Sequence, residues 1–369
     1  MKARLGSSLC PASGSAQPAA LRHARLIDGT GAPPRDNVTL LLGDGTIKAI
    51  QPDGPPPAGY REISLRGLTV LPGFINAHVH GAYNRQNLKD WLQAGVTSVR
   101  DLGTEAQLED DRSWNELKRI PGHARLIAAT PLIGPTGGYA SLIVNSTAEG
   151  IALVERARRL GYDLIKLTQE DQLQGQDWPV LPPTIARAMA ARARALGMPV
   201  AVHLTHTRLL PQAIGIGATD FAHMVVEPLP RPLAKRIAAR GILWVPTLEL
   251  WQGVQQRHGI HWGDIAVANT GVFFREGGKI ALGTDFGGYV NDNFEACIKA
   301  LDLSADEVLR LAKNSIRASW LDEARKQALL DAMKEKGVKA EILEFGTYPE
   351  IKTALDSGRI DCFSVDGAI

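Results

Sequence analysis

Two histidines one residue apart stand where an apolar run of the sequence ends. The stretch LPGFINAHVHG, residues 71–81, places His78 and His80 just before a glycine. In an extended chain, residues i and i+2 point to the same side, so both imidazoles can face one ion. Imidazole nitrogen is a common zinc ligand. The pair therefore fits a metal site, but it also fits a polar strand end that binds nothing.

A lysine interrupts the apolar stretch YDLIKL, where Lys166 stands between Ile165 and Leu167. A buried ammonium group is costly unless a partner offsets its lost hydration. One interpretation is a core lysine held in an ion pair. The other is that burial keeps the amine neutral and nucleophilic. Such an amine can capture carbon dioxide as a carbamate, whose two oxygens can bridge two metal ions.

Three more residues with metal-binding side chains follow apolar runs later in the chain. His203 ends MPVAVH, His223 ends ATDFAH, and Asp285 follows KIALGT. Taken singly, each histidine is typical of a structural residue, and the aspartate is typical of a turn. Repeated within or at the ends of five predicted strands, the pattern indicates one shared site. The residues that we interpret together as metal ligands are His78, His80, Lys166, His203, His223 and Asp285.

Short apolar strands alternate with helical segments from residue 69 onward, which predicts an α/β fold with a parallel sheet. The predicted strands are Thr69–Ile75, Val96–Asp101, Ala124–Thr130, Asp163–Thr168, Pro199–His203, Asp220–Met224, Ile242–Thr247 and Lys279–Asp285. The predicted helices are Asn84–Ala94, Ala148–Leu160, Pro183–Leu196, Arg231–Arg240 and Asn269–Glu276. Eight such units in about 220 residues fit a closed (β/α)8 TIM barrel, whose working face lies at the carboxyl ends of the strands. An open doubly wound sheet is the alternative, although no GxGxxG motif follows the first strand.

The chain before residue 69 has a different sequence pattern. Three β-rich runs, HARLIDG, NVTLLLG and TIKAIQ, precede it, and Asp44-Gly45 between the last two is a strong hairpin signal. We predict a mobile tail over residues 1–20, a small antiparallel β unit over 21–68, and the barrel over 69–335. Residues 336–369 are predicted to form an atypical β-α-β segment.

These motifs resemble the amidohydrolase superfamily, and within it the binuclear members that carry a carboxylated lysine. The similar stretches are VLPGFINAHVH, GYDLIKL, PVAVHLTH, GATDFAHMV and IALGTDFGG, which look most like the prolidase- and imidazolonepropionase-like branch. The resemblance implies that the barrel is a metal-dependent hydrolase and that residues 21–68 form part of a small β-sandwich. The region after residue 290 departs from the family pattern.

The resemblance also implies how the ligands divide between two metal ions. His78, His80 and Asp285 would hold the more buried ion and His203 and His223 the more exposed one, with carboxylated Lys166 bridging both. Two divalent ions about 3.5–4 Å apart lower the pKa of a bridging water and polarise a scissile carbonyl. Asp285 would be catalytic, taking the proton of that water and passing it to the leaving amine. Zinc is the expected metal, with manganese or cobalt as possible substitutes.

The predicted function is hydrolysis of an amide-type C–N bond in a dipeptide, an N-acyl amino acid or a cyclic amide. A mononuclear deaminase of the same superfamily is the first alternative. It is disfavoured because no acid follows His203 in the stretch HLTH. A non-catalytic small-molecule-binding protein is the second, because residues 338–369 resemble a fragment of periplasmic solute-binding proteins. Tyr139, in the loop GPTGGYAS, and His206 are predicted to contact substrate, although rim packing and a surface position are the respective alternatives.

The composition gives no sign of a nucleic-acid or membrane partner. The formal net charge is +2 over 369 residues, which creates no field that would favour a polyanion or an anionic membrane. No stretch approaches the roughly 18 uninterrupted apolar residues of a membrane span. We expect a cytoplasmic protein that acts on a small-molecule substrate and that can form a homo-oligomer.

Overall fold

The computed structural model describes residues 17–28, 33–103, 113–118, 120–173 and 175–285. The predictions for residues 1–16 of the tail, for the barrel region after residue 285 and for the 336–369 segment lie outside the described residues. The chain divides into two compact units, with the boundary between Gly73 and Phe74.

The first unit contains one five-stranded sheet. Its strands are β1 (Ala19–Leu26), β2 (Arg35–Gly43), β3 (Thr46–Pro52), β4 (Arg61–Ser64) and β5 (Thr69–Val70). β2 lies between β1 and β3 and is antiparallel to both, whereas β4 and β5 pair with β1 in parallel. Because the described residues of this unit form a single sheet, the sandwich stays a prediction.

The hairpin prediction is confirmed, while the all-antiparallel prediction is wrong for β4 and β5. Asp44 and Gly45 form a two-residue turn with φ of 49° and 69°, as a type I′ hairpin requires. The stretch DGPPPAGY between β3 and β4 is too long and too rich in proline for such a turn. It carries the chain past two strands to the far side of β1, which makes the new pairing parallel.

The second unit has the predicted α/β organisation. Its strands are β6 (Phe74–Val79), β7 (Val96–Asp101), β8 (Arg125–Ala128), β9 (Ile133–Gly134), β10 (Leu142–Ile143), β11 (Ile165–Thr168), β12 (Gln172–Leu173), β13 (Gln176–Asp177), β14 (Val200–His203), β15 (Asp220–Ala222), β16 (Leu243–Val245) and β17 (Lys279–Ile280). Its helices are α1 (Arg85–Gln93), α2 (Thr147–Leu160), α3 (Pro183–Ala195), α4 (Leu210–Ile216), α5 (Arg231–Ala239), α6 (Leu248–His258) and α7 (Trp262–Arg275), with 3₁₀ turns at Ser113–Lys118 and Thr207–Leu209.

The strands of this unit form two parallel sheets, β6-β7-β8 and β10-β9-β11-β14-β15-β16-β17, and a small β12–β13 hairpin. Backbone hydrogen bonds link the two parallel sheets at both margins. Asp163 N donates to Ala128 O at 2.8 Å, beside β8 and β11, and Ala77 N donates to Leu282 O at 2.7 Å, beside β6 and β17. This arrangement is consistent with a TIM-barrel-like fold and brings the carboxyl ends of the strands to one face.

The first strand of the second unit begins later than the sequence predicts. Thr69–Val70 pairs with β1 in the first unit, and β6 starts only at Phe74, so His78 lies within the strand. The break falls at Pro72-Gly73, where the proline lacks a backbone donor for a ladder. Sequence reasoning also missed α4 and α6 and began α7 seven residues late.

The helices pack one apolar face against the strands. In α2, for example, Gly150, Val154, Ala157 and Leu160 are buried, which is the spacing of a single helix face. α2 and α7 are the longest described helices at 14 residues each. No described helix has the length and apolar character needed to cross a bilayer.

Candidate active site

One cavity of about 780 Å³ contains all the predicted ligands in its wall. The ligand-type residues that line it are His78, His80, Lys166, His203, His223 and Asp285. They come from five separate strands or strand ends, from β6 to the segment after β17. Residues far apart in sequence thus converge where the sheet topology brings the carboxyl ends of the strands together.

Asp285 is the centre of this cluster. Its Oδ1 lies 2.8 Å from His78 Nε2, 3.2 Å from His80 Nε2 and 3.8 Å from His223 Nε2. The ligand atoms of His78, His223 and Asp285 all lie within 4.8 Å of one another. One carboxylate oxygen therefore faces three imidazole nitrogens from two other strands.

His203 extends the cluster to a neighbouring strand. Its ring centroid lies 4.7 Å from that of His223, in an edge-on arrangement, and the His223 ring lies 4.8 Å from that of His78. His203 is also in ring contact with Tyr139, at 5.0 Å between centroids. The imidazoles form a continuous row across the floor of the cavity.

The backbone adopts a left-handed conformation at two of these residues. His223 and Asp285 have φ of 67° and 69°, in the left-handed region that non-glycine residues rarely adopt and that recurs at functional sites. The amide nitrogens of Thr284 and Asp285 both donate to His78 O, at 3.0 and 2.9 Å. A Cβ atom on Gly283 would stand 2.6 Å from His78 Cβ, so only glycine allows this close approach.

Burial favours the neutral form of two imidazoles in the cluster, His78 and His223. It lowers the pKa of His78 to about 3, with a further contribution from the positive charge of Lys166. It also lowers the pKa of His223 well below its ordinary value. For Asp285, burial would raise the pKa of the carboxyl, but the nearby His223 and His78 hold that pKa well below its usual range. Neutral imidazoles beside a carboxylate are the protonation states that metal ligands require.

Lys166 is 1% exposed within β11. Burial lowers the pKa of its amine to about 7, although the charges of Asp285 and Asp220 oppose the shift. The neutral amine, which is the form that reacts with carbon dioxide, is therefore well populated near neutral pH. This protonation behaviour is the one that the carbamate interpretation needs.

Three ring nitrogens of the predicted ligand residues lack the hydrogen bonds that buried polar atoms normally make. Within the described residues, both ring nitrogens of His78 and Nε2 of His203 are buried without a hydrogen-bond partner. The 2.8 Å approach of His78 Nε2 to Asp285 is thus a close contact without hydrogen-bond geometry. Unpaired buried donors and acceptors call for an explanation, and an imidazole–carboxylate donor set of this kind fits a divalent metal ion.

Glu170 is a buried residue beside the cluster that sequence reasoning missed. Its Oε2 accepts a hydrogen bond from Thr205 Oγ1 at 2.7 Å and lies 3.3 Å from His203 Nε2. Its Oε1 lies 3.3 Å from His206 Nδ1. Burial would raise the pKa of Glu170, but His203 and His206 lower it to about 2. The signal was available, since Glu170 follows β11 at the same edge as the predicted ligands.

Thr247 connects the cluster to α6. Its hydroxyl lies 2.9 Å from His223 Nδ1, which leaves Nε2 of that ring to face Asp285. Thr247 is fully buried, has φ of 48° and stands immediately before α6. The helix that lines one side of the cavity therefore begins at a residue in contact with a predicted ligand.

The two predicted substrate-binding residues have different environments. Tyr139 lines the large cavity and also a second cavity of about 570 Å³, which shares His80 and Leu132 with the first. His206 is 6% exposed and contacts Glu170. His206 is not among the residues that line either cavity, so its position gives no support to a substrate contact. It is also not the surface histidine that we considered as the alternative.

Residues 69–312 match the amidohydrolase family. The chain belongs to the amidohydrolase family. The match covers every predicted ligand, and the family resemblance drawn from the strand-end motifs is confirmed. Membership rests on this long match, and the ligand positions themselves stay predictions.

Relatives from other organisms match shorter parts of the chain. The imidazolonepropionase of Salinispora arenicola is 26% identical over 209 residues, which cover 52% of this chain and 52% of that protein. The adenine deaminase of Acinetobacter baylyi is 50% identical over 50 residues, which cover 14% of this chain and 15% of that protein. The matched segments thus span about half or less of these relatives. A solved structure described as a Xaa-Pro dipeptidase with bound methionine has a TM-score of 0.71 and 21% identity, covering 92% of this chain and 96% of that chain, which shows a shared fold.

Proposed function

We propose that this member of the amidohydrolase family is a metal-dependent hydrolase that cleaves an amide-type C–N bond. The bond would lie in a dipeptide, an N-acyl amino acid or a cyclic amide. The observation that carries the proposal is that all the predicted ligands, Lys166 included, line one cavity. Hydrolysis of an amide also agrees with the family and with the named dipeptidase of the same fold.

The proposal includes the finer architecture. The eight strands β6, β7, β8, β11, β14, β15, β16 and β17 would form a closed barrel, with the hydrogen bonds beside Ala128 and Leu282 completing it at both margins. The first unit would be part of a β-sandwich. These features matter for function because a closed barrel fixes the ligands of different strands at constant separations.

Two divalent ions, which we expect to be zinc, would be held by the imidazoles, Asp285 and carboxylated Lys166. When bound, such ions supply Lewis-acid polarisation of a carbonyl and lower the pKa of a water molecule. The chain's own residues supply the remaining steps. The Lys166 amine attacks carbon dioxide and loses a proton, which gives the carbamate. Asp285 takes the proton of the attacking water and transfers it to the departing amine nitrogen.

Metal analysis combined with carbon-13 NMR tests this proposal. Protein purified without chelator and supplied with zinc and ¹³C-bicarbonate should hold about two equivalents of metal and show a carbamate resonance. Lys166→Ala should lose the resonance and most of the metal, whereas Lys48→Ala, at an exposed ion pair with Asp44, should keep both. Absence of metal uptake under every loading condition would reject the proposal.

A mononuclear deaminase is the second candidate, favoured by the local identity to adenine deaminase. The buried Glu170 is an acid beside His203, but it does not line the cavity, so it is not placed to exchange protons with a substrate ring. Ammonia release from adenine, measured against hydrolysis of a dipeptide and N-acyl amino acid panel, separates the two reactions. Binding of these compounds without turnover would instead favour a non-catalytic binding protein.

A further inference from the structure

One face of α6 forms a wall of the large cavity. The residues of this helix that line the cavity are Leu250, Trp251, Val254, Arg257 and His258. Their spacing of i, i+1, i+4, i+7 and i+8 places them on one side of a helix. We call these five residues the α6 wall.

The α6 wall changes in character along the helix axis. At its beginning, the Trp251 ring lies 5.9 Å from the His223 ring and 5.7 Å from Trp262, the first residue of α7. Val254 follows one turn later, and Arg257 comes at the end. At 1.5 Å per residue, the Arg257 backbone lies about 9 Å further along the axis than that of Trp251, and its side chain leans back so that Nη1 would stand 3.6 Å from a Cβ atom on Gly253. The wall is thus aromatic beside the ligand cluster and cationic away from it.

The charges of the cavity favour an anion at this outer end. Among the described residues that line the cavity, Asp285 is the one carboxylate, and the imidazoles of the cluster surround it. Arg257 is exposed and has no ion-pair partner among the described residues. A guanidinium that faces a cavity without a carboxylate partner is suited to bind one from a ligand.

The apolar part of the α6 wall determines which ligand group fits between the ligand cluster and Arg257. Trp251 and Trp262 meet edge to face, at 84° between their planes, and Leu250 and Val254 continue the apolar surface. Flat aromatic groups pack well against such surfaces. The geometry therefore favours a substrate that is apolar where it contacts the two tryptophans and carries negative charge where it meets the Arg257 guanidinium.

We propose that the substrate is an amide with an aryl group on one side of the scissile bond, ending in a carboxylate that Arg257 binds. This assignment rests on the proposed hydrolase function and specifies its substrate class. Trp251 and Trp262 hold the aryl group, and Arg257 selects its charged end. Since Thr247 contacts His223 at the start of α6, this helix presents Arg257 to the same cavity as the reacting centre.

A pair of substrates that differ only in charge at the far end tests the proposal. In the first substrate, one carboxyl group of biphenyl-4,4′-dicarboxylic acid forms an amide with the amino group of glycine, and the other carboxyl group stays free. The second substrate carries a carboxamide in place of that free carboxylate. With metal-loaded full-length protein, we expect kcat/KM to be about fivefold higher for the carboxylate, as for a partly exposed ion pair. Arg257→Gln should abolish that preference, and Arg236→Gln, at an exposed position on α5, should preserve it.

A binding measurement separates failure of this inference from failure of the hydrolase proposal. Calorimetric titration with biphenyl-4-carboxylate and biphenyl-4-carboxamide should show the same preference and the same loss in Arg257→Gln, whether or not any amide is hydrolysed. Hydrolysis with no dependence on Arg257 in either assay would overturn the inference and leave the hydrolase proposal standing. Arg257-dependent binding without turnover of any amide would support the substrate class and reject hydrolysis.

Discussion

The ligand cluster and the α6 wall face each other across the same cavity but are built differently. The cluster comes from the ends of separate strands, is mostly buried, and holds His223 and Asp285 in left-handed backbone conformations. The wall comes from one regular helix, and several of its side chains are partly or fully exposed. The first is mostly buried and strained at two backbone positions, whereas the second is an ordinary amphipathic helix.

This difference indicates a division of labour. Side chains fixed by several strands can hold ions and a proton-transfer group at constant separations, which chemistry requires. Exposed side chains on a helix can change without disturbing that geometry. Substitutions in the cluster should therefore impair metal binding and turnover, and those in the α6 wall should change which substrates bind.

The largest effect is expected for Asp285→Asn. The amide keeps the shape of the side chain but cannot accept the proton of the attacking water, so kcat should fall by about 10³-fold or more. Steady-state kinetics on the best dipeptide or N-acyl substrate measure this change. Asp264→Asn, at an exposed position on α7, should keep wild-type kcat. Comparable activity in the two variants would show that Asp285 is not the proton-transfer group.

Much of the cluster could be predicted because each of its members carries a local signal. A polar residue directly after a short apolar run is visible in sequence, as with His203 and His223. Glu170 carried the same signal but was overlooked, because the sequence alone does not show that it reaches His203 on the next strand. Glu170 is a candidate functional residue because of its contact with His203, not because of its residue type.

The α6 wall was harder to predict for two physical reasons. Gly253 lies in the middle of α6 and lowers helix propensity by about 1 kcal/mol relative to alanine. The helix also starts directly after a strand, at Thr247 in a left-handed conformation, without a side-chain cap that would mark its beginning. Packing of Leu248 and Trp251 in the interior overrides both signals.

Lys166 should also affect the stability of the metal-free protein, not only its activity. Burial of the Lys166 ammonium opposes folding, so Lys166→Met should stabilise the metal-free protein while removing metal binding. The gain should be about 2–4 kcal/mol near pH 6 in buffer free of carbon dioxide. Urea unfolding of chelator-treated protein measures it. Leu248→Ala, in α6, should instead destabilise the protein by about 3 kcal/mol, because Leu248 is fully buried.

The sign of the pH dependence follows from the folded-state pKa of about 7, against 10.5 for an ordinary lysine. Below pH 7 the amine is charged in both states, and the full cost of burial opposes folding. Between pH 7 and 10.5 the unfolded chain binds more protons than the folded one, so wild-type stability rises with pH. The advantage of Lys166→Met should shrink over that range. An advantage that grows with pH, or a wild type more stable at pH 6, would contradict a buried lysine of lowered pKa.

The smallest of these effects is expected for Glu170→Gln, which tests whether the cluster depends on residues that do not line the cavity. The carboxylate lies 3.3 Å from His203 Nε2 without hydrogen-bond geometry, and its negative charge favours the ring tautomer with a proton on Nε2, in which Nδ1 is the available ligand atom. A neutral amide loses that preference, and losing such a partner typically weakens metal affinity by about 10–100-fold. Zinc titration against a chromophoric chelator should show this change at one of the two ions. Glu155→Gln, at a surface ion pair with Arg192, should bind both ions as the wild type does. If Glu170→Gln lowers stability but leaves both affinities intact, Glu170 only fills the space behind the histidines, and the cluster does not depend on it for metal binding.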